Sequence, residues 1–149
     1  MAFRIAHELS WSASRASTLA SCPRRYYWDY YGSWLGWDAG GDPKRRQAWL
    51  LKKMTRMPML AGQIVHDAIQ QWFERKRDAG APPERETFVE RAVSELRRHY
   101  KDSRDGKWRR RPAKITHLAE HHYEEPRIDE GTGEAARYGA LYRDRIVES

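Results

Sequence analysis

The chain has 149 residues, with 28 Lys and Arg against 21 Asp and Glu, a net charge of +7 and a pI near 9.7. Its hydrophobic fraction of 40%, including 12% aromatics, is enough for one ordinary domain core, and the mean hydropathy of −0.97 puts most of the surface in water. No apolar run approaches the roughly 20 residues of a membrane span, the N-terminal stretch MAFRIAHELSWSAS lacks a signal-peptide core, and a single cysteine excludes a disulfide framework. These features predict a cytoplasmic protein with no membrane partner, and the positive charge points to a polyanion, nucleic acid first.

Residues 1–9 read as an arm in which Phe3, Ile5 and Leu9 can dock a short extended segment. Ser12 or Ser14 is positioned to cap a helix starting near Arg15, because a serine hydroxyl can accept from the orphan amides of a first turn. Pro23 then requires a new start, since it has no amide donor and restricts Cys22 before it. A second segment over residues 23–31 ends at Gly32 and Gly36. On it Tyr27, Tyr30 and Tyr31 recur at helical spacing, with Tyr26 and Tyr30 on an adjacent stripe.

Residues 38–43, DAGGDP, form a loop before a basic amphipathic helix over residues 44–54, with Trp49, Leu50 and Met54 inward. From residue 59 to about residue 77 the stripe Ile64, Val65, Ala68, Ile69, Trp72 and Phe73 predicts a long helix. The next helix, residues 84–100, turns Phe88, Val89, Ala92, Val93 and Leu96 to the core. Residues 101–114 read as irregular and basic, residues 115–122 as a short helix, and residues 124–133 as an acidic loop. Residues 132–147 carry weak helical periodicity and little apolar area, so the last part, from residue 101 on, is expected to be a polar and partly ordered extension. No internal repeat or strand pair stands out. The predicted architecture is mainly α, a single region of four to six helices with exposed apolar surface.

His66 is the leading candidate for chemistry. Gly62, Gln70 and Phe73 lie near its azimuth on the helix, and Gly62 leaves room one turn earlier for a neighbouring backbone or ligand. A neutral imidazole binds divalent metals through either nitrogen, although most histidines on such helices are inert. Cys22 is either a small hydrophobe or one thiolate of an iron–sulfur site that needs three more. His117 and His121 have i, i+4 spacing, but Leu118 stands where a zincin motif has glutamate, so a solvated polar turn is the expectation there. Ser12, Ser14, Arg15, Arg24 and Arg25 can either meet phosphates or serve as helix caps and surface ion pairs, and the run KWRRRPAK is the better phosphate tract on charge density, with Lys107, Arg109, Arg110 and Arg111 around Trp108, a residue able to stack on a base.

The segment WSASRASTLASCPRRYYWDYYGSW followed by GQIVH resembles the opening of RecB-like members of the PD-(D/E)XK nuclease superfamily, with its Ser-x-Ser helix start, Cys-Pro-x-Arg-aromatic segment and Gly-x-x-x-His helix. The likeness covers roughly residues 10–73. Residues 103–123 also look like a bacterial branch of the group. The resemblance implies an α/β nuclease core, helices first and a mixed sheet after. It implies DNA cleavage with Mg²⁺ or Mn²⁺ held by the helix histidine, here His66, together with an Asp and the acidic residue of a (D/E)xK element whose Lys helps activate water. Cys22 matches the first cysteine of iron–sulfur members, and DNA, with a helicase or a downstream nuclease segment, is the implied partner.

No Asp strand followed by (D/E)xK is evident. Glu74-Arg75-Lys76 has the spacing but lies in a helix close to His66, and Asp144-Arg145 is followed by Ile146. The reading is therefore the front part of a longer or truncated nuclease, inactive alone and missing its catalytic sheet. Two rivals fit the composition: a non-catalytic basic helical module that binds nucleic acid, and a protein-interaction adaptor docking through the aromatic face.

Overall fold

The first helix starts where a serine can cap it. Ser12 Oγ accepts from Arg15 N–H at 3.3 Å, and α1 runs Ala13–Ser21. Cys22 does the same for α2 (Pro23–Tyr27), its Sγ accepting from Arg25 N–H at 3.4 Å while Pro23 takes the first helical position. This is a computed structural model; it describes residues 10–80, 84–125 and 134–148, the last stretch with side chains from Ala140 onward. The N-terminal arm and most of the acidic loop at 124–133 lie outside the described residues. Two compact units divide the chain, one up to Lys53 and one from Met54, and each is described by itself.

In the first unit, α2 passes into a π-helical turn, Trp28–Gly32, marked by Ser33 N–H donating to Trp28 O five residues back at 3.1 Å. The wider turn changes which tyrosines meet. Tyr26 packs on Tyr30 at 5.1 Å and on Tyr31 at 5.8 Å between ring centroids, and the Tyr26 and Tyr31 hydroxyls lie 3.5 Å apart. Tyr27, predicted on the face of Tyr30 and Tyr31, instead leaves its ring exposed beside Trp28, because the extra residue per turn rotates the register. Asp42 caps α3 (Pro43–Lys52) by accepting from Lys44 N–H at 2.8 Å. Trp49 is buried as expected, but the helix ends before Met54, which is only half-buried. The turn before α3 comes so close that a Cβ on Gly36 would lie 2.4 Å from Trp49 Cβ and 2.5 Å from Arg45 O, so only glycine fits there.

The second unit is built on α4 (Met57–Ala79), closed by Gly80 in the left-handed region at φ 72°. It packs with α5 (Arg85–Arg104) and α7 (Glu134–Glu148), while α6 (Ala119–His122) is a single turn. Met57, Leu60, Ala61 and Ile64 of α4 meet Ala92 and Leu96 of α5, Leu118, and Tyr142 and Ile146 of α7. That spacing is one helical face. The second half of the predicted stripe differs: Ile69 and Phe73 are exposed, together with Met59. The expected apolar surface is thus on the outward row of α4, while its other side stays engaged beyond the first three turns: Ala68 packs on the core, Gln71 Oε1 accepts from Arg91 at 3.5 Å and Arg75 lies 5.3 Å over Phe88 of α5. Helix α5 runs one turn past the predicted end, and residues 107–109 form a 3₁₀ turn where irregular chain was expected. Only residues 119–122 of the predicted 115–122 helix are helical.

What joins these parts is a buried segment at 117–121. Thr55 N–H donates to His117 O at 3.1 Å, and Ala119 N–H donates to Thr55 O at 2.8 Å. Ser103 Oγ near the end of α5 accepts from Leu118 N–H at 2.9 Å. Glu120, 1% exposed, accepts the Met57 N–H at 2.9 Å, placing a carboxylate at the start of α4 where orphan amides and the helix dipole favour it. Among the described residues the secondary structure is seven α-helices and two short helical turns with no strand, and no helix is long and apolar enough to cross a membrane.

Removing the Glu120 carboxylate leaves the Met57 amide buried and unsatisfied. Glu120→Ala is expected to lower stability by about 2–3 kcal/mol, and Glu120→Gln by less, since the amide oxygen still accepts. Urea unfolding measures both; an Ala variant as stable as the parent would remove this contact from the account.

Candidate functional site

His66 sits mid-way along α4 on the face turned from the core. Its side chain is 75% exposed, and its nearest charged neighbour is Asp67, with Nδ1 3.7 Å from Oδ1. Asp67 also accepts from Gln63 Nε2 at 2.7 Å. One turn before His66, a Cβ built on Gly62 would meet nothing within 4 Å. Gln70 continues the row and donates to Glu74 at 2.9 Å, and Phe73 completes it. Glu74 stands two turns from His66, about 12 Å along the axis, too far to share a ligand shell with it. Asp144 on α7 is engaged by Arg143 at 3.0 Å.

The predicted phosphate ligands divide between the two units. Ser12 and Ser14 lie 3.0 Å apart, with Ser12 occupied as a cap. Arg15 lies over the Tyr30 ring at 4.4 Å and donates to Ser10 O. Arg24 is exposed, and Arg25 pairs with Asp29 at 3.3 Å. Cys22 spends its sulfur on the α2 cap and is exposed.

In the second unit Lys107 pairs with Asp102 at 2.7 Å, a hydrogen bond that holds the carboxyl below and the ammonium above their usual values. Arg110 and Arg111 are exposed, and Arg109 lies 4.8 Å over Trp108. Trp108 itself is half-buried and stacks on His117 with centroids 3.6 Å apart and planes 10° from parallel, so the ring reserved for a base is already stacked within the protein.

The histidines after it are not the solvated turn expected. His117 is 4% exposed, lies just before α6 and meets His122 edge-on at 5.0 Å. His121 turns to Tyr100 and brings Nδ1 to 2.8 Å from Ser103 Oγ. The two imidazoles therefore do not share a helical face, because only His121 is on the helix. Burial, reinforced by His122, Arg109 and His121, pushes His117 down to about 4. Burial, then Arg98, also lowers His99, whose Nδ1 is 2.6 Å from Thr116 Oγ1.

The row carrying Gly62 and His66 and the segment around Cys22 fall within one continuous likeness: the sequence matches the family model of the PD-(D/E)XK nuclease superfamily over residues 10–142. The chain belongs to the PD-(D/E)XK nuclease superfamily. No curated protein and no solved structure gives a match. Membership makes nuclease chemistry the expected class and DNA the substrate class, and nucleases of this superfamily generally use divalent metals.

Among the described residues, however, no group of three or more His, Cys, Asp or Glu side chains is arranged to hold a metal ion. His66 and Asp67 supply part of a ligand set at most, and Cys22, the only cysteine, supplies one thiolate. These residues do not fit a complete divalent-metal or iron–sulfur centre.

Sequence reasoning missed Ser103 and Glu120, which carry no local signal beyond their polarity, and the cations Lys52 and Lys53, which the basic composition of α3 did contain.

The lowered histidines set an acid response. Each binds its proton more readily in the unfolded chain, so the stability these two histidines contribute is complete above about pH 6.5 and is lost as pH drops toward 4. His117 accounts for an order of 2–3 kcal/mol of that loss. Unfolding curves at pH 7 and pH 4.5 test this, with His117→Leu expected to flatten the difference; identical acid sensitivity in parent and variant would contradict it.

Proposed function

We propose that this chain is the N-terminal helical portion of a RecB-like, metal-dependent DNA nuclease that hydrolyses phosphodiester bonds. In this reading His66 contributes one neutral imidazole nitrogen to a Mg²⁺ or Mn²⁺ site, and the carboxylates of an Asp and a (D/E)xK element come from a segment that covers the open face of α4. The observation that carries it is the pairing of Gly62 and His66 on that face. A glycine inside a helix costs roughly 1 kcal/mol relative to alanine, and here no atom within 4 Å of its Cβ position explains it by packing. The exposed Met59, Ile69 and Phe73 on the same helix support an element laid against it. An imidazole ligand suits Mn²⁺ better than Mg²⁺, which prefers oxygen, so cutting with Mn²⁺ should be at least as fast.

The isolated chain is then expected not to cleave DNA. A protein in which it is followed by an Asp…(D/E)xK segment should cleave with either ion, and His66→Ala should slow that cleavage by at least roughly 100-fold with helix content unchanged. Gly62→Ala should stabilise α4 yet reduce cutting. Gel assays of plasmid and linear DNA read both effects. Full activity of His66→Ala would refute the ligand role, and metal-dependent cutting by the 149-residue chain would refute the division of the site.

A further inference from the structure

The first unit holds a second place suited to nucleic acid, remote in sequence from His66. Arg15, Tyr30, Trp34, Trp37, Lys52 and Lys53 all line one cavity of about 180 Å³. That is below the roughly 300–1,000 Å³ of a drug-sized site, so it admits one flat ring and leaves the remainder of a ligand outside. From these observations we infer that it is a nucleotide pocket for an unpaired base of a DNA strand, with Trp37 as stacking platform and Arg15, Lys52 and Lys53 as phosphate contacts.

Among the described residues, none of Arg15, Lys52 and Lys53 forms an ion pair with a carboxylate. Tyr30 holds Arg15 at 4.4 Å and Lys52 at 5.5 Å from its ring centroid, and Trp49 holds Lys53 at 5.8 Å. The hydrogen bonds of Arg15 and Lys52 go to backbone oxygens, those of Ser10 and Asp29. The one carboxylate lining the cavity, Asp29, is engaged by Arg25 at 3.3 Å. Cation–π contacts fix a cation while leaving its full charge for a phosphate. Trp37 is 42% exposed and meets Trp34 at 84° and 5.0 Å, so it keeps at least one ring face that its neighbour does not cover. Its backbone is pinned, since Arg46 Nη1 donates to Gly36 O at 3.2 Å and to Trp37 O at 3.1 Å.

A platform of this kind selects unpaired bases, because a base within a duplex already has both faces stacked. The choice of DNA as the polymer rests on the superfamily reading above, whereas the binding itself needs neither His66 nor a metal.

Fluorescence anisotropy of the full chain with a labelled oligothymidylate, at low salt and with EDTA, tests the inference against a blunt-ended hairpin duplex. Thymidine monophosphate and inorganic phosphate serve as competitors. The single strand should bind about tenfold tighter than the duplex. Trp37→Ala should weaken single-strand binding roughly tenfold and leave duplex binding unchanged, with Trp37→Phe restoring most of the loss. Lys53→Ala should weaken it further and flatten its salt dependence. Single-strand binding should be the same in EDTA and in Mg²⁺ at matched ionic strength, so failure of the nuclease reading and failure of this one are separately visible. Undiminished single-strand binding by a folded Trp37→Ala variant would overturn the pocket. Competition by the mononucleotide as strong as by the oligonucleotide would overturn the strand as its ligand, and competition by phosphate alone at that strength would overturn the base contact.

Discussion

The Glu120 carboxylate on the Met57 amide is the contact on which the second unit depends. A 23-residue helix must begin somewhere, and its first amides need acceptors. Arg56 at the N-cap offers no side-chain acceptor, and Pro58 removes only one donor from the first turn. The acceptor comes instead from 63 residues further along the chain. That reach brings Leu118 with it, completely buried in the core, and the backbone pairing of Thr55 with residues 117 and 119 holds the segment in register. Ser103 repeats the device at the other end of the clasp, accepting from Leu118 and bonding His121. The directional bonds of Glu120 Oε1 and Ser103 Oγ select one arrangement of α4, α5 and the 117–121 segment, although Glu120 Oε2 and both ring nitrogens of His117 are buried without a hydrogen-bond partner among the described residues.

Helix α4 then divides its surface between two tasks. Met57, Leu60, Ala61 and Ile64 hold the core, while Met59, Gly62, His66 and Phe73 are left outward. The outward row combines the residue types that a nuclease helix of this superfamily is proposed to use with an apolar content that water does not favour. A helix serving only as a bundle member has no need of an interior glycine on its solvent face.

The aromatic content of the first unit is spent differently from that of an ordinary core. Only Trp49 among its tryptophans is buried. Tyr26, Tyr30 and Tyr31 cluster through the π turn, and Tyr30 and Trp49 carry cations on their faces. Among the described residues, Arg15, Lys52 and Lys53 rest on rings and backbone oxygens rather than on carboxylates, whereas Arg25 pairs with Asp29.

The sequence by itself determined the punctuation and the family. Ser12 and Pro23 each act within four residues of chain, through a cap and a missing donor, so their effects were readable locally. The Cys-Pro segment and the Gly-x-x-x-His helix, in that order, indicated the superfamily. Periodicity also found α4 and α5, yet it could not say how much of the α4 stripe has a partner, and Ile69 and Phe73 have little. Tertiary structure alone decided that His117 is buried under Trp108, that Tyr26 rather than Tyr27 joins Tyr31, and that Lys52 and Lys53 share a cavity with Arg15 and Trp37. The reason is the same in each case. These outcomes rest on contacts between residues that no helical repeat relates, or on a change of helical repeat itself, and neither leaves a periodic trace in the chain.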